Sequence, residues 1–408
     1  MLTPEHRQVV ANLANTVISI RPLIDVLTPP VRINPARGSR GSIPSSSEQT
    51  VEDHSKIEQL INRVSARLGT CRFTLCQTIE DFTVFEEAIS NRLAIETCYE
   101  FALRLPTSAL PEIDQVVKDV IADSFDSKYS CTKLVSFDGA QLKAYAAGTN
   151  RKKAVVIVPA CGMPAKLCEH WMKFLGKEFF VVTWENRGLF GETQDFDVMA
   201  YDVVAQMEDL FSVMDHFGIE IAHLMGFCGG AVLALIATST RPARVSSMSL
   251  WHGAYRLNPD CPKTMHQLNF ETLMSMAATG RPQATSIHKL INQSILSNVH
   301  SNVAHLVLYP FATAELLFRY GKINGCIIDT DISHVLRKIV QPTLVVTSEN
   351  DSTAHPAGSE RVAKGLCKAF LHVEPHNDHL SLFYPKTDIF RLAARFISDE
   401  WYSGQASS

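Results

Sequence analysis

His223-Leu224-Met225-Gly226-Phe227-Cys228-Gly229-Gly230-Ala231-Val232-Leu233-Ala234-Leu235-Ile236-Ala237 is the stretch whose reading decides the fold. A short apolar run enters a glycine-bounded turn and a helix-compatible run leaves it, so the order reads strand, sharp turn, helix. The glycines flank a turn where strand and helix must approach with almost no side chain between them. Cys228 stands at the tip, at the first turn of the helix, where the helix N-terminus helps a thiol act as a nucleophile. Alone, a G-x-C-x-G run also fits a small packing residue, which is how most free cysteines behave.

Two partners further along the chain tip the balance, because they come in the order nucleophile, acid, base. The acid candidate follows the strand-like Pro342-Thr343-Leu344-Val345-Val346-Thr347. There Asp351 lies in a loop ahead of Pro356, with Glu349 as the reserve. The base candidate lies in Glu374-Pro375-His376-Asn377-Asp378-His379-Leu380, before Pro385 and a helical segment. His379 is preferred to His376 because it stands closer to that final helix. An imidazole between thiol and carboxylate takes the thiol proton and is itself oriented by the acid. A loop Asp is ordinarily a turn or cap residue and a loop His an ordinary surface residue, so position and order carry this assignment.

Acyl chemistry also needs backbone N–H donors aimed at the developing oxyanion. Gly229 supplies one from the helix start. The loop Pro159-Ala160-Cys161-Gly162-Met163-Pro164 after an apolar strand supplies the second, with Met163 as the expected donor. Gly162 lets that backbone fold over the substrate, and Cys161 is read as an unreactive pocket wall. In Trp184-Glu185-Asn186-Arg187-Gly188, Arg187 is read as structural.

The 408 residues exceed one ordinary domain, and with 46 % hydrophobic and 20 % charged residues the composition is that of a water-soluble globule. A formal charge of -4 offers no bulk attraction to nucleic acid. No basic segment leads into an apolar leader at Met1, and no apolar run reaches membrane-spanning length, so a cytoplasmic protein is expected. The ten cysteines lack paired C-x-x-C spacing, which argues against a disulfide framework or a structural zinc site. No metal and no intrinsically bound cofactor are expected.

Residues 1–125 read as a helical N-terminal extension. Helices are predicted over Pro4–Thr28, Ser55–Leu68, Glu80–Leu105 and Leu110–Asp123, around a mobile loop at 36–55 rich in Arg, Gly and Ser. Residues 126–408 form the catalytic domain, opened by a hairpin around Asp138-Gly139. Apolar strands at Ala154–Val158, Phe179–Thr183, Ala222–Met225, Val245–Leu250 and Thr343–Thr347 alternate with helices, which implies an α/β class built on a mostly parallel sheet. The interval 256–338 interrupts that rhythm and is read as a helical lid.

With elbow, acid loop and His loop in this order, the chain from Thr132 onward resembles the α/β-hydrolase superfamily. Cys in the elbow together with a helical extension looks like the aminoacyltransferases of nonribosomal peptide pathways, of the syringomycin and coronamic acid type. That resemblance implies antibiotic-type biosynthesis, with Cys228 as acyl acceptor, His379 as base and Asp351 as its orienter. The substrate would ride on the 4'-phosphopantetheine of a donor carrier protein and pass to an acceptor carrier. An acyl-cysteine is itself a thioester, so exchange with another thiol is nearly balanced in free energy. The alternatives are a Cys-dependent thioesterase, another ester hydrolase such as the dienelactone hydrolase kind, or a catalytically silent receptor on the same fold.

Overall fold

The computed structural model describes residues 1–34, 49–76, 81–93, 109–191, 196–292 and 303–398, which group into two compact units. The first unit comprises Met1–Lys128 with His288–Ala314. Its helices Pro4–Ile24, Gln49–Leu68, Val84–Leu93 and Leu110–Ala122 bury apolar stripes such as Val10, Leu13, Val17 and Ile20. Thr3 caps the first of them, its hydroxyl accepting from the His6 N–H, and Pro4 follows, where a missing N–H costs nothing. The all-helical reading of this region is incomplete. Two three-residue strands, β1 (Val31–Ile33) and β2 (Phe73–Leu75), pair in parallel, too short for any periodicity to mark them. Of the loop read at 36–55, residues 36–48 lie outside the described residues, whereas 49–55 begin the helix Gln49–Leu68. Of the helix read over Glu80–Leu105, residues 84–93 are helical and 94–105 lie outside the described residues.

The reading of 256–338 as one lid also needs correction, because His288–Ala314 packs within the first unit. A buried hydrogen bond of 2.8 Å between the Ser19 hydroxyl and His305 Nε2 ties that segment to the first helix, alongside buried Leu306 and Phe311. Local sequence carries no trace of such a long-range attachment.

The second unit comprises Tyr129–Ile287 and Glu315–Ser408. Its eight-stranded sheet consists of β3 (Ser130–Val135), β4 (Gln141–Ala147), β5 (Ala154–Val158), β6 (Phe180–Trp184), β7 (Ala222–Phe227), β8 (Val245–Trp251), β9 (Thr343–Ser348) and β10 (Ala369–Glu374). The spatial order is β10-β9-β8-β7-β5-β6-β4-β3, and only the pairs β3–β4 and β4–β6 are antiparallel. Strands β5, β6, β7 and β9 are buried along their whole length, the pattern expected of a parallel sheet covered on both faces. Strand β10 lies at the sheet edge with a partly exposed, alternating pattern and escaped the sequence reading. Among the described residues no helix is long and apolar enough to cross a membrane.

A histidine is buried within this sheet. His223 on β7 is buried, with Nδ1 2.8 Å from the Ser247 hydroxyl and Nε2 2.9 Å from the Ser249 hydroxyl, both on β8. Burial pushes its pKa down to about 3. A histidine depressed in the fold but ordinary when unfolded stabilises above the unfolded value near 6.5 and loses that contribution as pH falls toward 3. Between pH 7 and 5 this costs about 2 kcal/mol. Urea unfolding of wild type and His223→Gln at both pH values checks it: the variant should lose about 2 kcal/mol less over that interval. Equal losses would refute the account.

Candidate active site

The elbow is built by backbone sterics. A Cβ on Gly226 would lie 2.6 Å from Ala231 Cα, and one on Gly230 would lie 2.3 Å from the Val158 carbonyl oxygen. Both glycines therefore let the helix Gly229–Thr240 pack down on β7 and β5. Gly230→Ala should cost at least ~2 kcal/mol, since rigid backbone must move rather than a side chain. A thermal melt reads this directly, and an unchanged midpoint would contradict the packing. Between the glycines, Cys228 is held at φ 51°, ψ -117°. A non-glycine residue in that left-handed region stores strain, offset here by the Cys228 N–H donating to Trp251 O at 2.9 Å.

The other candidates arrive from neighbouring strands, all at their C-terminal ends, where open α/β sheets present a crevice. Asp351 lies three residues beyond β9 and His379 five beyond β10. His379 Nδ1 donates to Asp351 Oδ2 at 2.9 Å. That leaves Nε2 as the free ring nitrogen, and the Cys228 side chain lies within hydrogen-bonding influence of the same imidazole. Burial works against a charge on His379, but Asp351 and Cys228 outweigh it and hold the imidazole well above its ordinary pKa. Burial likewise opposes the Asp351 charge, yet His379 and His252 hold the carboxyl well below the usual carboxylate range. The reserve pair lies apart from this array: Glu349 and His376 are exposed and 3.8 Å from one another.

The oxyanion assignment shifts by two residues. The Met163 N–H is engaged in a turn, donating to Ala160 O at 3.1 Å, and the Gly162 N–H donates to Asn186 Oδ1 at 2.9 Å. Cys161 N–H has no partner among the described residues and replaces Met163 as the candidate donor. The Gly229 N–H stands at the start of its helix, where no intrahelical acceptor exists. Burial pushes the Cys161 thiol well above its ordinary pKa, with Cys228 adding to the effect, which suits an unreactive wall.

Two tyrosines and a helix close the surroundings. Tyr255 and Tyr320 are buried, their phenols raised by that burial and by the nearby Cys228. The Tyr255 hydroxyl has no hydrogen-bond partner among the described residues. The helix Ala314–Ile328 reaches the elbow: a Cβ on Gly229 would lie 3.4 Å from Ile327 Cγ2 and 3.6 Å from Asn324 Oδ1.

Sequence reading missed His252, the residue directly after β8. It is buried at φ 50°, and its Nδ1 lies 3.1 Å from Asp351 Oδ2. The available signal was its place, since it too ends a parallel strand. His252, Asp351 and His379 bring ligand-type atoms within 4.8 Å of one another and are the candidate metal set among the described residues. Asp351 already accepts four hydrogen bonds, two from these imidazoles and two from the Thr353 and Ala354 N–H groups. The cluster is therefore fully accounted for as a hydrogen-bonded array.

No family model matches the chain. RutD of Caulobacter sp. (strain K31), named a carbamate hydrolase, is 23 % identical over 263 residues, spanning 59 % of this chain and 89 % of that protein. RutD of Variovorax paradoxus (strain S110) is 24 % identical over 206 residues, spanning 49 % of this chain and 74 % of that one. Among solved structures, the esterase EaEST from Exiguobacterium antarcticum superposes with a TM-score of 0.54 at 16 % identity, covering 66 % of this chain and 100 % of its own. The enol-lactonase from Burkholderia xenovorans LB400 does so with a TM-score of 0.52 at 16 % identity, covering 65 % and 100 %. At such identities the superpositions establish the architecture, and that architecture is the α/β-hydrolase fold.

Proposed function

We propose that this α/β-hydrolase-fold chain is a cysteine-dependent hydrolase that cleaves carboxylic acyl substrates, esters or thioesters, through an acyl group held on Cys228. One observation carries the reading: a strained thiol at the elbow shares an imidazole whose other nitrogen is fixed by a buried carboxylate. Hydrolase, esterase and enol-lactonase stand among the names of the similar proteins, and they favour release to water over passage between carrier proteins.

The geometry supports a two-step path. His379 Nε2 takes the Cys228 proton as the sulfur bonds to the substrate carbonyl carbon, and the oxyanion meets the N–H groups of Gly229 and Cys161. Collapse breaks the bond to the alcohol or thiol, which leaves with the proton from His379. Water then attacks the thioester, His379 takes its proton, and Cys228 departs and regains one as the acid is released. The segment 315–328, with Ile327 and Asn324 beside Gly229, serves as the lid over this step. Tyr255 offers its unpaired hydroxyl to a polar group of the substrate.

A second reading rests on the nucleophile itself. Because acyl-Cys228 is a thioester, a phosphopantetheine thiol on an acceptor carrier protein can replace water at little cost in free energy. Incubation with N-acetylcysteamine thioesters, with and without pantetheine, separates the two. Intact mass should show wild type heavier by one acyl group and Cys228→Ala unchanged, with free acid accumulating. An adduct persisting in the Ala variant would sink both readings, and acyl-pantetheine formed in place of acid would transfer support to the carrier reading.

A further inference from the structure

We propose that His252 is a positioning residue of this site: its Nδ1–H donates a second hydrogen bond to Asp351 Oδ2 and locks the carboxylate that orients His379. The inference rests on the acyl-Cys228 reading above and adds a residue from a strand that supplies no other member of the site.

Both imidazoles converge on one oxygen, His379 Nδ1 at 2.9 Å and His252 Nδ1 at 3.1 Å. An ionised carboxylate only accepts, so each of these nitrogens carries its proton, which fixes the tautomer of both rings when neutral. The other oxygen, Oδ1, accepts from the N–H groups of Thr353 at 2.9 Å and Ala354 at 2.7 Å. With four donors on two oxygens, rotation of the Asp351 side chain would break at least two bonds at once. The rings stand edge to face, with centroids 5.7 Å apart, so His252 also limits the tilt of His379.

Three features separate this from an incidental core histidine. His252 is 1 % exposed, so an unmade bond there would leave a polar group unsatisfied in the core. Its backbone sits at φ 50°, a conformation that a histidine adopts at a cost and that puts this ring beside the acid. Its neighbours in chemistry come from different elements: Asp351 after β9, His379 after β10, and Cys228, which acts on His379, at the end of β7. The arrangement thus spans the sheet order β10-β9-β8-β7 with one residue from the end of each strand.

The test uses two replacements that both tolerate positive φ. His252→Asn keeps an N–H donor at the δ position, whereas His252→Gly removes it. Alkylation by iodoacetamide at pH 6, followed by mass mapping of the Cys228 peptide so that exposed Cys131 and Cys367 do not count, reports how well the His379–Asp351 pair draws off the thiol proton without requiring the natural substrate. His252→Gly should slow alkylation about tenfold, as loss of a partner behind a working ligand does, with His252→Asn within about threefold of wild type. Thioester hydrolysis should follow the same order through kcat, with KM little changed. A Gly variant alkylated as fast as wild type would overturn the inference, as would Asn and Gly variants equally slowed. Failure of the hydrolase reading would look different: no acyl adduct in wild type, while the ordering of the alkylation rates persists.

Discussion

Cys228→Ala should lower thioester or ester turnover by about a millionfold in kcat, the scale seen when a nucleophile is removed from a cooperating triad. The substitution deletes one sulfur and leaves the backbone at φ 51°, where the strain is already borne by the elbow's hydrogen bonds and packing. Its thermal midpoint should therefore stay close to wild type, which separates lost chemistry from lost fold. Asp351→Asn is expected to cost about 10⁴-fold, since the amide offers His379 the wrong hydrogen-bonding partner while keeping the shape. The double variant should be no slower than Cys228→Ala alone, because without the sulfur the imidazole has no proton to take. Steady-state kinetics on the three proteins checks this pattern. Cys228→Ala retaining a hundredth of wild-type kcat would place the nucleophile elsewhere.

Cys228, Asp351 and His379 could each be picked out as candidates in the sequence from the elements around them. Cys228 and Asp351 follow recognisable strand signals, His379 precedes a recognisable Pro-opened helix, and the chain order nucleophile, acid, base is itself a constraint. The parallel sheet was visible as continuous apolar runs such as Val155–Val158. Strand β10 was not, because at the sheet edge its burial alternates and charged or polar residues such as His372 interrupt it.

What the sequence hid depends on contacts between distant segments. His252 is a lone histidine after an apolar run until β8 is known to lie between β7 and β9, which brings its ring to Asp351. Sequence points to Met163 as the oxyanion donor, but its N–H turns back to Ala160 O and the Gly162 N–H is held by Asn186, contacts that local sequence does not reveal. The segment 288–314 reads as lid in sequence, and only the buried Ser19–His305 bond and its apolar packing assign it to the first unit. Chemistry carried the same limit: cysteine at the elbow argues for thioester exchange, whereas the similar proteins bear hydrolytic names. A cysteine nucleophile would constrain the intermediate but not the acceptor that takes the acyl group from it.

Arg187→Met should destabilise the second unit by about 3 to 5 kcal/mol, because it breaks a buried charge pair from one side only. The Arg187 side chain is fully buried and its Nε donates to Asp209 Oδ2 at 2.7 Å, while Nη1 donates to Asp138 Oδ2 at 2.6 Å and to Ala200 O at 2.7 Å. These bonds join the β3–β4 turn, the helix Val203–His216 and the loop after β6. Burial opposes the guanidinium charge, but Asp209 and Asp138 hold it above its ordinary pKa, so it is charged throughout the working range. Burial already pushes the Asp209 carboxyl upward, with Arg187 opposing that rise. Once the arginine is gone, the folded variant binds a proton at Asp209 more readily than the unfolded chain does. Stability is then lost as pH rises through that elevated value, so the penalty should be larger at pH 8 than at pH 5. Urea midpoints at the two pH values test the sign, and a penalty that shrinks with rising pH would contradict it. Adding Asp209→Leu should recover much of the loss, since the orphaned charge disappears with it. Activity should fall as well, because Arg187 anchors the loop whose neighbouring Asn186 holds the Gly162 N–H, next to Cys161, the proposed oxyanion donor.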